Sequence, residues 1–176
     1  MQISSADSKL ELLSAALNDL STRHHLPALS RLTALATAAA EWDPVGVAPE
    51  RQPLLIQATS LLLGDSNEVP WIQLAVSLLQ EMPDGTDFAK ALLPIRTITC
   101  TTCQLLENAL SSEPCLLPFP AAAVCSMNAV LGKLLPAVAS AWRGAGWAAT
   151  AQHDPEIMSS LADWLLFTRS IIKQVR

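Results

Sequence analysis

Apolar residues recur every three or four positions through most of this chain, which is the spacing of one face of an α-helix. The first such segment, residues 5–23, places four leucines on one face: Leu10, Leu13, Leu17 and Leu20. The same spacing predicts six more helices in chain order: 27–42, 50–63, 70–81, 86–110, 120–143 and 154–176. The pattern therefore predicts a chain built almost entirely from helices.

Proline and glycine separate the predicted helices. A connector of seven residues, 43–49, holds Pro44, Gly46 and Pro49, and Gly64 is a natural terminator for the helix before it. Two prolines, Pro94 and Pro136, fall inside predicted helices. Proline has no backbone N–H to donate, so we expect a kink or a break at Pro94.

No segment of useful length alternates between apolar and polar residues as a half-buried strand does. The nearest is 95–103, which is rich in β-branched residues, but its flanks are helical and it has no hairpin partner. The prediction is an all-α fold of six to eight antiparallel helices in one domain, 1–176. It is either an irregular helical bundle or a short, HEAT-like stack of helical hairpins. The helical pattern runs up to Arg176, which is also compatible with a fragment of a longer chain.

The segment 114–142 has a single charged residue, Lys133. A solvated surface helix needs a polar face, so this segment must be covered by the rest of the protein, by a partner or by lipid. Three prolines at 114, 118 and 120 leave too short an apolar run to cross a membrane, which needs about 20 residues. Burial as a central helix is the favoured interpretation, with partner contact next.

Charged residues make up 15% of the chain, against about 25% in typical proteins. So little charge favours a subunit of an assembly, with a protein partner or a second copy of the chain. The formal net charge of −5 argues against nucleic acid as a partner, because binding to phosphates needs a basic surface. Four cysteines without a secretory signal predict reduced thiols in an intracellular setting, cytoplasmic or nuclear.

Four cysteines form the one grouping with a spacing reminiscent of a metal site: Cys100, Cys103, Cys115 and Cys125. Zinc takes four ligands in a tetrahedron, and a two-residue gap lets one turn supply two of them. The pair at 100 and 103 lies in a predicted helix, however, and the other gaps fit no standard pattern. Buried thiols are the favoured interpretation, so zinc is a weak candidate.

No motif for catalysis or for phosphate binding occurs in the sequence, and the acid pairs lie at helix ends, where capping explains them. We therefore predict no catalytic residue and no cofactor. Three tryptophans near helix ends or in loops are candidates for interface anchors: Trp42, Trp142 and Trp147. The alternative is that each of these three closes one end of the core. Trp71 and Trp164 fall on apolar stripes and are predicted to be core residues.

These observations predict a non-catalytic protein–protein interaction domain, a scaffold or adaptor subunit of a larger assembly. An alternative of a different class is a helical pocket for a hydrophobic ligand or lipid, with walls at 92–106 and 121–139. A weaker alternative is an all-α enzyme whose active-site residues are dispersed along the chain.

Overall fold

Helices make up all the regular structure in the part of the chain that the computed structural model describes: 5–42, 47–64, 68–82, 85–111, 128–144 and the single residues 162, 166 and 169. The helices are α1 (Ser5–Thr22), α2 (Ala28–Glu41), α3 (Gln52–Leu63), α4 (Pro70–Glu81), α5 (Gly85–Ser111) and α6 (Leu135–Gly144). A 3₁₀ turn, Pro49–Arg51, precedes α3, and a π-turn, Val130–Leu134, precedes α6. The predicted all-α fold is confirmed.

Two of the predicted helices contain a turn that is not α-helical. The helix predicted from residue 50 starts as a 3₁₀ turn, because Pro53 has no amide to give to the Pro49 carbonyl; that carbonyl accepts from the Gln52 amide instead. The helix predicted over 120–143 is described only from residue 128, and the Leu135 amide donates to the Val130 carbonyl across the π-turn. Residues 120–127 lie outside the described residues, as does the last predicted helix except at 162, 166 and 169, which are helical.

The long helix α5 is continuous from Gly85 to Ser111. It runs through Pro94 without a break, so of the expected kink or break the break does not occur, and the kink stays a prediction. The β-branched segment 95–103 is helical, as predicted, and its buried hydroxyls bond within the helix: Thr99 to the Ile95 carbonyl at 2.6 Å and Thr102 to the Ile98 carbonyl at 2.8 Å. Bonding of this kind satisfies a threonine side chain in an apolar setting.

The core lies around α2, which packs against α1 and α5 and also contacts α4. Helix α1 contacts α3 as well, and α4 contacts α6. The inward stripe of α1 is buried, as its spacing predicted. The largest side chains that are less than 2% exposed are Trp71, Leu10, Leu13, Leu32, Leu35, Leu62, Leu63, Ile72, Leu92 and Ile95. Within the described residues, no helix combines the length and the apolarity that crossing a bilayer requires.

Side chains from neighbouring helices bond to carbonyls in the last turns of α1, α2 and α3. The last four carbonyls of a helix have no partner inside the helix, and burying such a carbonyl without a donor is costly. Arg31 of α2 donates to the Leu20 carbonyl of α1 at 2.8 Å, and the Trp71 indole of α4 donates to the Leu62 carbonyl of α3 at 3.0 Å. A longer bond of 3.4 Å joins the Thr101 hydroxyl of α5 to a carbonyl of α2, that of Ala39. These bonds tie helix ends to the helices that cover them.

The turn after α3 requires glycine. Gly64 has φ +83° and ψ 153°, a combination that is essentially restricted to glycine, and its amide donates to the Ser60 carbonyl at 2.8 Å. A methyl group at this position would lie 2.6 Å from the Glu68 carbonyl oxygen and 2.9 Å from a methyl carbon of Val69. Backbone conformation and space therefore both exclude a side chain.

We expect Gly64→Ala to lower the free energy of unfolding by about 3 kcal/mol, because a non-glycine residue is strained in this conformation and its methyl group would collide with backbone. Gly132→Ala is the matched control. Gly132 is exposed in the π-turn, with nothing within 4 Å of an added methyl group, so the change should be neutral or stabilising by up to about 1 kcal/mol. Urea denaturation of both variants measures the difference, and equal effects would contradict this account of the turn.

The two buried tryptophans allow a second comparison. Trp71 is 0% exposed and bonds to the Leu62 carbonyl, whereas Trp42 is 8% exposed and its Nε1 has no hydrogen-bond partner among the described residues. Both replacements by phenylalanine remove similar volume. We expect Trp71→Phe to cost about 1–3 kcal/mol more than Trp42→Phe, because it leaves a buried carbonyl unsatisfied. Thermal and urea unfolding measure this, and a larger loss in Trp42→Phe would show that the bond is unimportant.

Candidate interaction site

A groove of about 640 Å³ runs between α2 and α5 on the surface of the described residues. It is lined by ten residues from the two helices: Leu29, Thr33, Ala36, Thr37, Ala40, Glu41, Lys90, Leu93, Pro94 and Thr97. On each helix these residues recur at three- or four-residue spacing, so each set lies on one face of its helix. The groove is therefore made by two helical faces side by side.

Small residues on α2 create the space. The groove face of α2 has Ala36 and Ala40 with two threonines, where the buried face of the same helix has Leu32 and Leu35. Because these side chains are short, another helix could approach the backbone of α2 closely, as packed helices do.

The threonine hydroxyls of the groove are satisfied within their own helices. Thr33 donates to the Leu29 carbonyl at 2.7 Å, Thr37 to the Thr33 carbonyl at 3.0 Å, and Thr97 to the Leu93 carbonyl at 3.1 Å. A hydroxyl already engaged in this way has less need of water. The groove is therefore more apolar than its residue types suggest, and an apolar occupant would strand none of these three donors.

Leu93 is the large apolar side chain at the open edge of the groove, and it is 56% exposed. Single exposed leucines are ordinary on protein surfaces. This one, however, borders an apolar concavity whose Pro94 is buried. Glu41 and Lys90 add one charge of each sign to the lining.

The tryptophans predicted as interface anchors are placed only in part. Trp42 follows the end of α2 and belongs to the core, which agrees with the alternative that it closes one end of the core. The side chain of Trp142 and all of Trp147 lie outside the described residues. The interface role of these tryptophans stays a prediction, and the groove does not include Trp42.

The cysteine grouping is placed in part as well. Cys100 lies on α5 and is half-buried, and the backbone at Cys103 is helical. The side chain of Cys103 and the whole of Cys115 and Cys125 lie outside the described residues, so the zinc candidate stays untested. Among the side chains that are described, no three His, Cys, Asp or Glu residues come together as metal ligands.

The pocket predicted between 92–106 and 121–139 can be followed along its first wall. The inward residues of that wall, Leu92, Ile95, Ile98, Thr99 and Thr102, are at most 1% exposed. The groove instead uses the neighbouring face of α5, at residues 90–97. Sequence reasoning missed it because it followed the large apolar residues; the signal was a second stripe on α2 with alanine and threonine at 33, 36, 37 and 40.

The described residues define an all-α protein with an apolar groove between two of its helices. Comparison of the chain with models of protein families, with curated proteins and with solved structures finds no match. The function must therefore be argued from the groove itself.

Proposed function

We propose that this chain is a non-catalytic protein-interaction domain, a scaffold or adaptor, and that the groove between α2 and α5 receives an amphipathic helix of a partner protein. The observation that carries the proposal is Leu93, which is 56% exposed at the edge of an apolar groove formed by small residues. Contact with a partner would remove this side chain from water. Burying a leucine fully contributes roughly 1.5–3 kcal/mol.

A helix suits the shape of the groove. Helix α2 has 14 residues and is therefore about 21 Å long, or about four turns. Two helices flank the groove, and a third can pack between them with its axis about 8–10 Å from each, a distance that small residues permit. We expect the partner to present apolar residues at i, i+3, i+4 and i+7, as helices bound in grooves do.

The acid of the lining favours one orientation of the partner. Glu41 is exposed, so a bound helix with a base facing Glu41 is preferred over one with an acid there. Opposite charges of this kind select a partner more than they strengthen its binding. The low charge of the chain as a whole is consistent with a surface that is partly covered by protein.

The partner can be identified by photo-crosslinking from inside the groove. A photoreactive amino acid replaces Thr97 in the full chain, in the cells that naturally produce it, and the crosslinked peptide is sequenced. We expect a helical, amphipathic segment of another protein. Capture of a second copy of this chain would make the groove a self-association site, and crosslinks to lipid alone would overturn the proposal.

Affinity for the captured segment, measured by calorimetry, supplies the decisive comparison. We expect Leu93→Glu to weaken binding at least about tenfold, because it puts a charge into the apolar contact. Leu12→Glu is the matched control, since Leu12 is similarly exposed at 59% but lies on α1. Both residues are exposed, so both variants should keep the wild-type unfolding temperature. Equal affinity of the two variants would contradict the assignment of the groove.

A further inference from the structure

A second cleft, of about 760 Å³, lies between α4 on one side and the π-turn with α6 on the other. Its volume is within the range of about 300–1,000 Å³ that small-molecule sites occupy. One of its walls, at 133–141, overlaps the predicted ligand-pocket wall 121–139, but the opposite wall is α4 and not 92–106. It shares no lining residue with the groove between α2 and α5.

One side of this cleft is polar but uncharged. Gln73, Ser77 and Gln80 follow one another at four- and three-residue steps, so they share one face of α4. Ser140 comes from α6 on the other side. Amides and hydroxyls both donate and accept hydrogen bonds, so these groups can bind a polar head group without fixing its charge.

Lys133 determines which charge the ligand should have. It is the one charged residue among the described residues of the lining, and it is exposed, so its ammonium group is available to a ligand. It also lies in the π-turn, Val130–Leu134. Turns of this kind cost backbone regularity and recur at functional sites in helices. Among the described residues that line the cleft there is no acid, so the field of the lysine favours an anion.

The rest of the lining is apolar. Val76 and Leu79 come from α4, Met82 follows the end of α4, and Ala137 lines the cleft from α6. Methionine is flexible and adapts to varied apolar ligands. A ligand that complements both Lys133 with its polar neighbours and the apolar residues has a single anionic head and a short apolar tail.

From this juxtaposition we propose that the cleft between α4 and α6 binds a medium-chain carboxylate, such as a short fatty acid. Lys133 pairs with the carboxylate, and the glutamine and serine side chains complete its hydrogen bonds. The apolar residues of α4 and Ala137 contact the tail. This site is separate from the proposed protein-binding groove, and either can fail without the other.

Binding can be tested on the full chain with decanoate below its micellar concentration. Calorimetry gives the affinity, and the NMR signal of a ¹³C-labelled Met82 methyl group, assigned by its loss in Met82→Leu, gives the location. We expect decanoate to bind and to shift this signal. Acetate, which lacks the tail, should not bind, and decanol, which lacks the charge, should bind at least about threefold more weakly.

Decyl phosphate separates a carboxylate ligand from a phosphate ligand with the same tail. Tighter binding of decyl phosphate than of decanoate would overturn the carboxylate assignment. Equal or weaker binding supports it. The same Met82 signal must move with either ligand for the comparison to refer to this cleft.

Two lysine variants test which lysine pairs with the carboxylate of decanoate. We expect Lys133→Gln to weaken decanoate binding about three- to fivefold while leaving decanol unaffected. Lys90→Gln, in the other groove, is the matched control and should bind decanoate as the wild type does. The proposal is overturned if Lys133→Gln binds decanoate normally, if Lys90→Gln accounts for the loss, or if the Met82 signal does not move.

Discussion

Hydrogen bonds from one helix to the last-turn carbonyls of another are the constraint on which this fold depends. Arg31, Trp71 and Thr101 each reach across to such a carbonyl, on α1, α3 and α2 respectively. The bond to the Leu62 carbonyl is buried and the other two are partly buried, and a buried carbonyl left without a donor costs about 1–3 kcal/mol, so these bonds help to fix the helices against one another. Burial of the leucine core is favourable but does not depend on direction. The hydrogen bonds do depend on direction, so they restrict how the helices can pack.

This framework determines which surfaces stay open. Helix α2 uses its leucine face for the core and packs against α5, which leaves its alanine and threonine stripe as one wall of a groove. Helix α4 contacts α6 beyond the π-turn, and the cleft between them is partly polar. The two concave surfaces therefore differ in chemistry: the lining of the first is mostly small or apolar, whereas the second adds amides, hydroxyls and Lys133 to its apolar residues.

Local rules predicted the helices well and their irregularities less well. The bounds of α4 match the predicted 70–81, and the β-branched segment 95–103 is helical because its flanks are helical and three of its threonines, at 97, 99 and 102, bond within the helix. Pro94 does not break α5, although loss of one backbone bond suggested either a kink or a break there. The π-turn before α6 was not predicted, since periodicity over so few residues hardly distinguishes five-residue from four-residue hydrogen bonding.

The sequence by itself determined the fold class, the order of the described helices and the inward face of α1, because helical bonds are local and a repeated leucine face can be buried in only one direction. Only the tertiary structure decided which helices become neighbours. The bond from Thr101 to Ala39 joins residues 62 positions apart, and the walls of each groove are likewise distant in sequence. Such contacts depend on the packing of whole helices, for which three- and four-residue spacing within each helix carries no information.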